Sequence, residues 1–449
     1  MSDWSDGYVQ NIDYTYGYYT VMNPNRIRMA FLLAGLTPPK ISTCCELGFG
    51  NGVTINIHNA ASGHEWHGND LNPGQVLFAS QIANETGGHL KLTEDSFEEY
   101  EKRSDLPNFD FIALHGIWTW VSPQSRAAIV SFIKKRLNPG GVVYISYNLL
   151  AGWARFLPIR KLMTSQKNDM ISQNSNQRDV IRNGMALIDG LIEAQAKFFM
   201  EDHKSLSLFE GLKSGNVDYV AHELLNDNWN LMSFSDCSKE LQGAKLNYAC
   251  PANYMDHLLS IHMTGKQQKL VKSQSSVSMR EDLHDVIRNR SFRMDYWIKG
   301  GLPLRPHEQL SQIRELRVVL STDPETVASD IADLAGICAM DTATYHLLIN
   351  ALSDHAIHSL GSLADQLQPH GLSILHVIHI TAAMIQKRHA ELVLGNRTGL
   401  AIQDDLVVVG QCKRRSSRGE DRRVDTTILR LDQFDGAPFR FVIHPKRRF

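Results

Sequence analysis

Short apolar runs alternate with helix-compatible stretches through the first third of the chain. Ile41 to Cys45 is apolar, small or hydroxylic and reads as a buried strand arriving at Glu46. Val53 to Ser62 fits a helix, and His64 to Asn69 a second strand that ends at Asp70. Asn72-Pro73 opens another helix, through Ala83, and Leu90 to Thr93 forms a third strand ending in Glu94-Asp95-Ser96-Phe97. The fourth strand, Phe109 to Leu114, runs into His115-Gly116-Ile117-Trp118-Thr119-Trp120. Ser122 caps a helix whose first residue is Pro123 and which reaches about Leu137. Asn138-Pro139-Gly140-Gly141 then turns the chain into a fifth strand, Val142 to Tyr147. Strand and helix alternating in this way predict an open α/β sheet, with an acid, a glycine or a polar group at every strand end. Ligands bind outside those carboxyl ends, so the positions agree with one another.

The pattern changes after Leu149. Residues up to about Asn228 are helical in character, Asp179 to His203 with few breakers, and predict a helical insertion that caps the site. A helix starts near Ser235, and Lys245 to Ala249 reads as a short strand, expected to be the return of the sheet's last strands. From about residue 270 the periodicity is mainly helical: Glu308 to Arg317, Pro324 to Ala335, Thr342 to Asp354 and Ile374 to Leu394. Ser359 to Gln366 with the longer helix behind it suggests a winged-helix-like module. The expected organisation is an aromatic arm at 1–40, a binding core at 41–150 and a cap at 151–227. The returning strands follow at 228–265, and a regulatory and C-terminal helical domain with short terminal strands at 266–449. In the arm, Tyr8, Tyr14, Tyr16, Tyr18 and Tyr19 either anchor the segment to the core or form a lid with hydroxyls near the reacting atoms.

Composition narrows the function classes. A chain of 449 residues has room for two or three domains, and 43% hydrophobic with 21% charged residues is ordinary for a soluble protein. A net charge of −2 gives no overall pull toward nucleic acid or membrane. Six cysteines, only Cys44 and Cys45 adjacent, make neither a CxxC pair nor a disulfide framework. The opening Met-Ser-Asp-Trp-Ser-Asp lacks a signal peptide's basic and apolar segments, so a cytoplasmic location is expected, without membrane insertion. The basic residues of the tail, Lys413 to Arg423 and Lys446 to Arg448, are interrupted by Glu420, Asp421 and Asp425 and read as solvated loops. His376 and His379 lack the glutamate and spacing of a zinc helix, and no metal is expected.

The glycine loop carries the chemistry. Glu46-x-Gly48-x-Gly50-x-Gly52 is neither a dinucleotide fingerprint nor a phosphate loop, because its third glycine comes one residue early and no Lys-Ser or Lys-Thr follows. Its carboxylate would repel a pyrophosphate and attract an ammonium or sulfonium group. Asp70, about twenty residues on, falls where a neighbouring strand offers a carboxylate to ribose hydroxyls.

Together, Glu46-x-Gly48-x-Gly50-x-Gly52, Asp70, Asp95-Ser96 and Asn138-Pro139-Gly140-Gly141 resemble the ordered motifs of class I S-adenosylmethionine-dependent methyltransferases. More narrowly, the chain resembles bacterial methyltransferases with a methyltransferase regulatory domain, including rickettsial protein-lysine methyltransferases. Tyr14 to Tyr19, Ile57 to Gly63, Phe109 to Trp118, Tyr144 to Asn148, Tyr219 to Leu225 and Arg288 to Arg293 carry that likeness over roughly residues 8 to 300. The resemblance implies a Rossmann-like sheet binding S-adenosyl-L-methionine and releasing S-adenosyl-L-homocysteine. It implies cofactor contacts from Tyr14, Glu46, Gly48, Phe49, Gly50, Asp70, Leu71, Asp95, Ser96, Phe97, His115 and Gly116. His115, Tyr16 and Tyr19 are its implied catalytic candidates, accepting or relaying a proton, and Trp118 and Trp120 its implied acceptor walls. Leu114-His115-Gly116-Ile117 stands where nucleobase-methylating enzymes carry Asn-Pro-Pro-aromatic, which argues against nucleic acid as acceptor. A protein lysine is expected instead, with a small molecule or glycan as alternative; a regulator that binds the cofactor without turnover is the other class. A homodimer is compatible with this reading.

Overall fold

The structure is a computed structural model, and it describes residues 17–86, 90–171, 177–213, 220, 224–329 and 342–393, with the strand segments 401–402, 407–410, 427–432 and 440–445. Tyr8, Tyr14, Tyr16 and the basic stretches 413–423 and 446–448 lie outside those residues.

The predicted alternation is present. Strands β1 (Thr43–Leu47), β2 (Glu65–Asp70), β3 (Lys91–Glu94), β4 (Phe109–Leu114) and β5 (Leu137–Asn148) are parallel neighbours in the order β3-β2-β1-β4-β5. Helices α1 (Pro24–Leu33), α2 (Val53–Ala61), α3 (Pro73–Thr86), α4 (Phe97–Lys102) and α5 (Pro123–Arg136) precede or connect them. Order reverses at β1, whose neighbours β2 and β4 leave it on opposite sides, so a crevice opens beyond Leu47. Asn23 and Ser122 accept hydrogen bonds from the amides that start α1 and α5, and each helix carries proline in its first turn, as capping chemistry dictates.

Two antiparallel strands, β6 (Asn247–Pro251) and β7 (Phe292–Ile298), complete a seven-stranded mixed sheet in which β7 lies between β5 and β6. The return was expected entirely within 228–265; β7 instead comes from the stretch read as mainly helical. The reason is chemical. Phe292, Met294 and Tyr296 alternate with Arg293 and Asp295, so the charged residues mark a solvent face in the sequence, yet both are 0% exposed in β7.

Between β5 and β6 the chain forms α6 (Leu150–Trp153), α7 (Leu157–Ile171), α8 (Gln177–Glu193), α9 (Lys197–Glu201) and α10 (His203–Lys213). They bury a core of their own around Phe156, Ile159, Met163 and Ile188. The long helix expected at Asp179 to His203 is broken at Gln195, which takes a left-handed φ of 56°.

Beyond β7, helices at Pro306–Arg314, Thr342–Leu352, Leu360–Leu367 and Ile374–Gln386 pack with a small antiparallel sheet of β8 (Arg317–Leu320), β9 (His358–Ser359) and β10 (Ala390–Val393). The final helix is shorter than its expected span to Leu394, because Arg388 turns left-handed at φ 62° and the chain enters β10. The helix at Pro324 is described to Ser329; the rest of its expected span lies outside the described residues. This module shares one apolar core with α1 and one face of the main sheet, from Met22, Ile27 and Phe31 through Phe111 and Tyr144 to Val318, Leu348 and Ile385. Four short strands, β11 (Ala401–Ile402), β12 (Val407–Gly410), β13 (Thr427–Asp432) and β14 (Arg440–Pro445), pair antiparallel in that order. Among the described residues no helix is long and apolar enough to cross a membrane.

Candidate active site

Strand β1 delivers the glycine loop to the crevice. Gly48, Gly50 and Gly52 have φ of 66°, 60° and 71°, a backbone region that side chains avoid. A methyl group on Gly48 would sit 2.5 Å from Ile117 Cδ1, and one on Gly52 2.4 Å from Ala79 Cβ. At Gly50 a methyl would meet nothing within 4 Å. Two of the glycines are therefore demanded by packing, while the middle one borders open space. The amides of Gly48 and Phe49 donate to the Asn69 carbonyl, at 2.9 and 3.3 Å, which ties the loop to β2. Phe49 turns its ring into the core against Gly68 and leaves only its backbone at the crevice.

Two acids lie beneath this loop. Asp70 accepts from the Gly50 amide at 2.8 Å and from the Asn72 amide at 2.9 Å, and burial pushes its pKa up to about 6 against those bonds. Glu46 is 4% exposed, and its Oε2 has no hydrogen-bond partner. Burial, and secondarily the charge of Asp70, hold its carboxyl well above the usual carboxylate range. Among the described residues neither acid forms an ion pair.

At the end of β3 the side chains serve local structure. Asp95 pairs with Arg103 at 2.9 Å, and its carbonyl accepts from Asn69 Nδ2 at 3.0 Å. Ser96 caps α4 in a reciprocal box with Glu99. Phe97 and Ile117 stand against Gly48, and half-buried Leu71 follows Asp70. Phe97, Ile117 and Leu71 are the candidates here with apolar surface at the loop.

The far wall is His115. Its Nδ1 lies 2.8 Å from the Tyr144 hydroxyl and 3.3 Å from Ser146 Oγ, while the Gly116 amide donates to Ser146 Oγ at 2.8 Å. Tyr19 covers the ring, centroids 3.8 Å apart, and Phe292 meets its edge at 6.1 Å. Burial lowers the imidazole pKa to about 3, so it is neutral at physiological pH. Gly116, at φ 66°, again faces open space. Tyr144 and Ser146 escaped the sequence reading. The signal was there, because they are two polar residues at i and i+2 of an apolar strand, hence on one face, and β5 is registered beside β4 at Leu114 and Ile145.

The two tryptophans separate. Trp118 is fully buried in the core on the other face of the sheet from His115 and Tyr144. Trp120 is half-buried and stacks on Trp229 at 6.3 Å; Trp153 meets that indole edge-on at 5.8 Å and the Arg160 guanidinium lies over it at 4.7 Å. Among the described residues no group of three or more histidine, cysteine or acidic side chains is placed to hold a metal ion.

Residues 216–299 match the family profile described as "Predicted methyltransferase regulatory domain". The protein sll1526 of Synechocystis is 32% identical over 379 residues, 83% of this chain and 73% of that protein. The protein RP789 of Rickettsia prowazekii is 24% identical over 325 residues, 70% of this chain and 56% of the relative. Among solved structures, PKMT2 from Rickettsia typhi in complex with AdoHcy superposes with a TM-score of 0.63 at 18% identity, covering 84% of this chain and 77% of that one.

Proposed function

Since the chain belongs to the class I S-adenosylmethionine-dependent methyltransferases that carry a methyltransferase regulatory domain, we propose that it methylates the side-chain nitrogen of protein lysines. The observation that carries cofactor use is the partnerless oxygen of buried Glu46 beside the open space at Gly50. A ligand bearing an ammonium and a sulfonium fits that pairing of an uncompensated acid with bare backbone. When bound, the cofactor supplies a methyl group activated for in-line displacement, so the protein's task is alignment and exclusion of water.

The chain's own groups divide that task. Glu46 holds the ammonium, and Asp70, braced by the Gly50 and Asn72 amides, presents its remaining lone pairs to ribose hydroxyls. Leu71, Phe97 and Ile117 form apolar surface for a flat ring; Asp95 and Ser96 shape the turn beneath it. Gly50 and Gly116 let backbone approach closely.

Lysine is supported by the wall opposite. An amine with an ordinary pKa of about 10.4 must lose a proton before it attacks. An imidazole lowered to about 3 cannot take that proton and keep it. His115 instead accepts a hydrogen bond and orients the neutral amine while the proton leaves to water, and the Tyr19 ring offers a face suited to an alkylammonium. The likeness to PKMT2 supports the same acceptor.

The test is transfer of radiolabelled methyl from S-adenosylmethionine into a bacterial lysate, followed by hydrolysis of the protein fraction. Label recovered as methyl-lysine, with an initial rate rising about tenfold per pH unit between 7 and 9, is expected. Label in glycans or small molecules would move the acceptor, and cofactor binding with no label in any fraction would favour a regulator without turnover.

A further inference from the structure

The first described residues of the chain run across His115. Gly17 to Tyr19 has no regular structure and leads into a single turn of 3-10 helix at Thr20–Met22. Locally, Thr54 Oγ1 accepts from the Tyr19 amide at 3.2 Å and donates to the Gly17 carbonyl at 3.1 Å. The Tyr18 ring meets His58 of α2 edge-on at 5.4 Å, and Tyr296 on β7 donates to the Val21 carbonyl at 2.6 Å. Further holds come from the C-terminal helical module. Arg388 Nη2 donates to the Tyr18 carbonyl at 3.2 Å, and Arg26 Nη2 donates to the Ile385 carbonyl at 3.1 Å. Arg26 also bonds Thr20 Oγ1. An arginine that follows the arm thus grips the end of helix Ile374–Gln386, and an arginine just beyond that helix grips the arm.

Arg388 occupies the left-handed position that ends the helix, at φ 62°, where glycine or asparagine is the easier choice. The conformation is held by several bonds. Its amide donates to Ile385 O at 3.1 Å, and its carbonyl accepts from Ser321 Oγ and Thr322 Oγ1 at 3.2 and 3.3 Å. Ending the helix needs no side chain at this residue. What the arginine adds is a guanidinium that spans to the arm, with the buried carboxyl of Glu391 on β10 in electrostatic reach of both Arg388 and Arg26.

We propose that Arg388 is a positioning residue for the transfer centre: by holding the Tyr18 carbonyl it keeps Tyr19 stacked on His115, so the C-terminal module determines whether the arm covers the site. Its catalytic consequence rests on the reading of His115 as the wall of that centre; the coupling of Arg388 to the cover on His115 does not.

The experiment uses the full chain and the variants Tyr19→Ala, Arg388→Met and Arg388→Lys. Diethyl pyrocarbonate acylates neutral imidazoles, and peptide mass spectrometry reads the rate at each histidine. At His115 the rate should rise about tenfold in Tyr19→Ala and at least about fivefold in Arg388→Met, because protection follows the closed population of the arm. Arg388→Lys keeps a donor for the carbonyl and should stay within about twofold of the parent. Buried His284, remote in the regulatory segment, should react equally slowly in all four proteins. An unchanged His115 rate in Arg388→Met, or a rise shared by His284, overturns the proposal. In methyl transfer, Arg388→Met should lower kcat more than it raises KM for the cofactor, with Arg388→Lys restoring it; equal loss in both variants also overturns it. A parent chain with no methyl transfer would defeat the functional reading and leave the protection rates to decide the role of Arg388.

Discussion

Two sets of buried acids in this molecule meet opposite fates. In the regulatory segment, Arg293 is fully buried and donates to Asp285 at 2.9 and 3.1 Å, to Asp295 at 2.7 Å and to Glu281 at 2.9 Å. Its guanidinium lies over Phe234 at 4.6 Å, and Asp256 takes Arg288 and Arg290 at 2.6 and 2.7 Å. At the glycine loop, Glu46 and Asp70 are as well buried and have no cation among the described residues. Acids that own their counter-ions are construction: here they lock β7 against β5, where Tyr147 donates to Asp295 at 3.0 Å. Acids that lack one hold their protons too tightly and gain most from a cation brought from outside. Pairing does not cancel burial everywhere, since burial and the neighbouring charge of Asp295 push Asp285 up to about 6 despite Arg293 and Arg290.

The sharpest break of this contrast is Arg293→Met. It leaves Asp295 and Asp285 buried without their shared cation and should destabilise the fold by about 3–5 kcal/mol in urea denaturation. A loss below ~1 kcal/mol would mean that the network is dispensable and that the contrast is one of appearance.

Glu46→Gln should act in the opposite sense on stability and more strongly on binding. S-adenosylhomocysteine affinity should fall about a hundredfold in calorimetry, as expected when a charged hydrogen bond is lost. The unliganded variant should be more stable than the parent at pH 8, because burial disfavours the ionised carboxyl in the folded chain and the amide carries no such charge. The sign follows from a folded-state pKa raised above the unfolded one. The carboxyl costs nothing below its unfolded pKa, and its cost grows as pH climbs toward the folded value, so the gain should vanish near pH 4. A variant that binds normally, or that loses stability at pH 8, would place Glu46 with the structural acids.

Asp95→Asn should do least. Its partner Arg103 and its own side chain remain 31% and 19% exposed, so the pair is worth under about 1 kcal/mol and binding should change less than about twofold. A larger loss of affinity would bring Asp95 back into contact with the ligand.

Much of the sheet was legible because β4 and most of β5 are apolar on both faces and the strands are bounded by glycine, proline or a cap. The glycine loop and Asp70 were legible because a turn that needs left-handed φ admits little else. Strand β7 was not, since its alternating Arg293 and Asp295 suggest a surface position that the fold does not give them. For Trp118 the sequence leaves both an acceptor wall and loop packing open, because a tryptophan beside a strand end has two sides to choose from, and packing places it in the second core. Asp95 and Ser96 sit at the expected strand end, yet their side chains close an ion pair and a helix cap, chemistry that spacing alone does not separate from ligand binding. His115 stood out as the polar residue ending β4, but its lowered pKa comes from burial, and its partners Tyr19, Tyr144 and Ser146 come from other segments of the chain.

The exchange of arginines between arm and C-terminal module also orders events during synthesis. The Tyr18 carbonyl leaves the ribosome 370 residues ahead of the guanidinium that holds it, and Arg26 waits 359 residues for the carbonyl it grips. Strands β1 to β5 all end by Asn148, so their pairings can begin to form before the C-terminal module is made. The apolar face that α1 and the sheet share with the C-terminal module also waits for that module, so the cover on His115 gains its last holds late in translation.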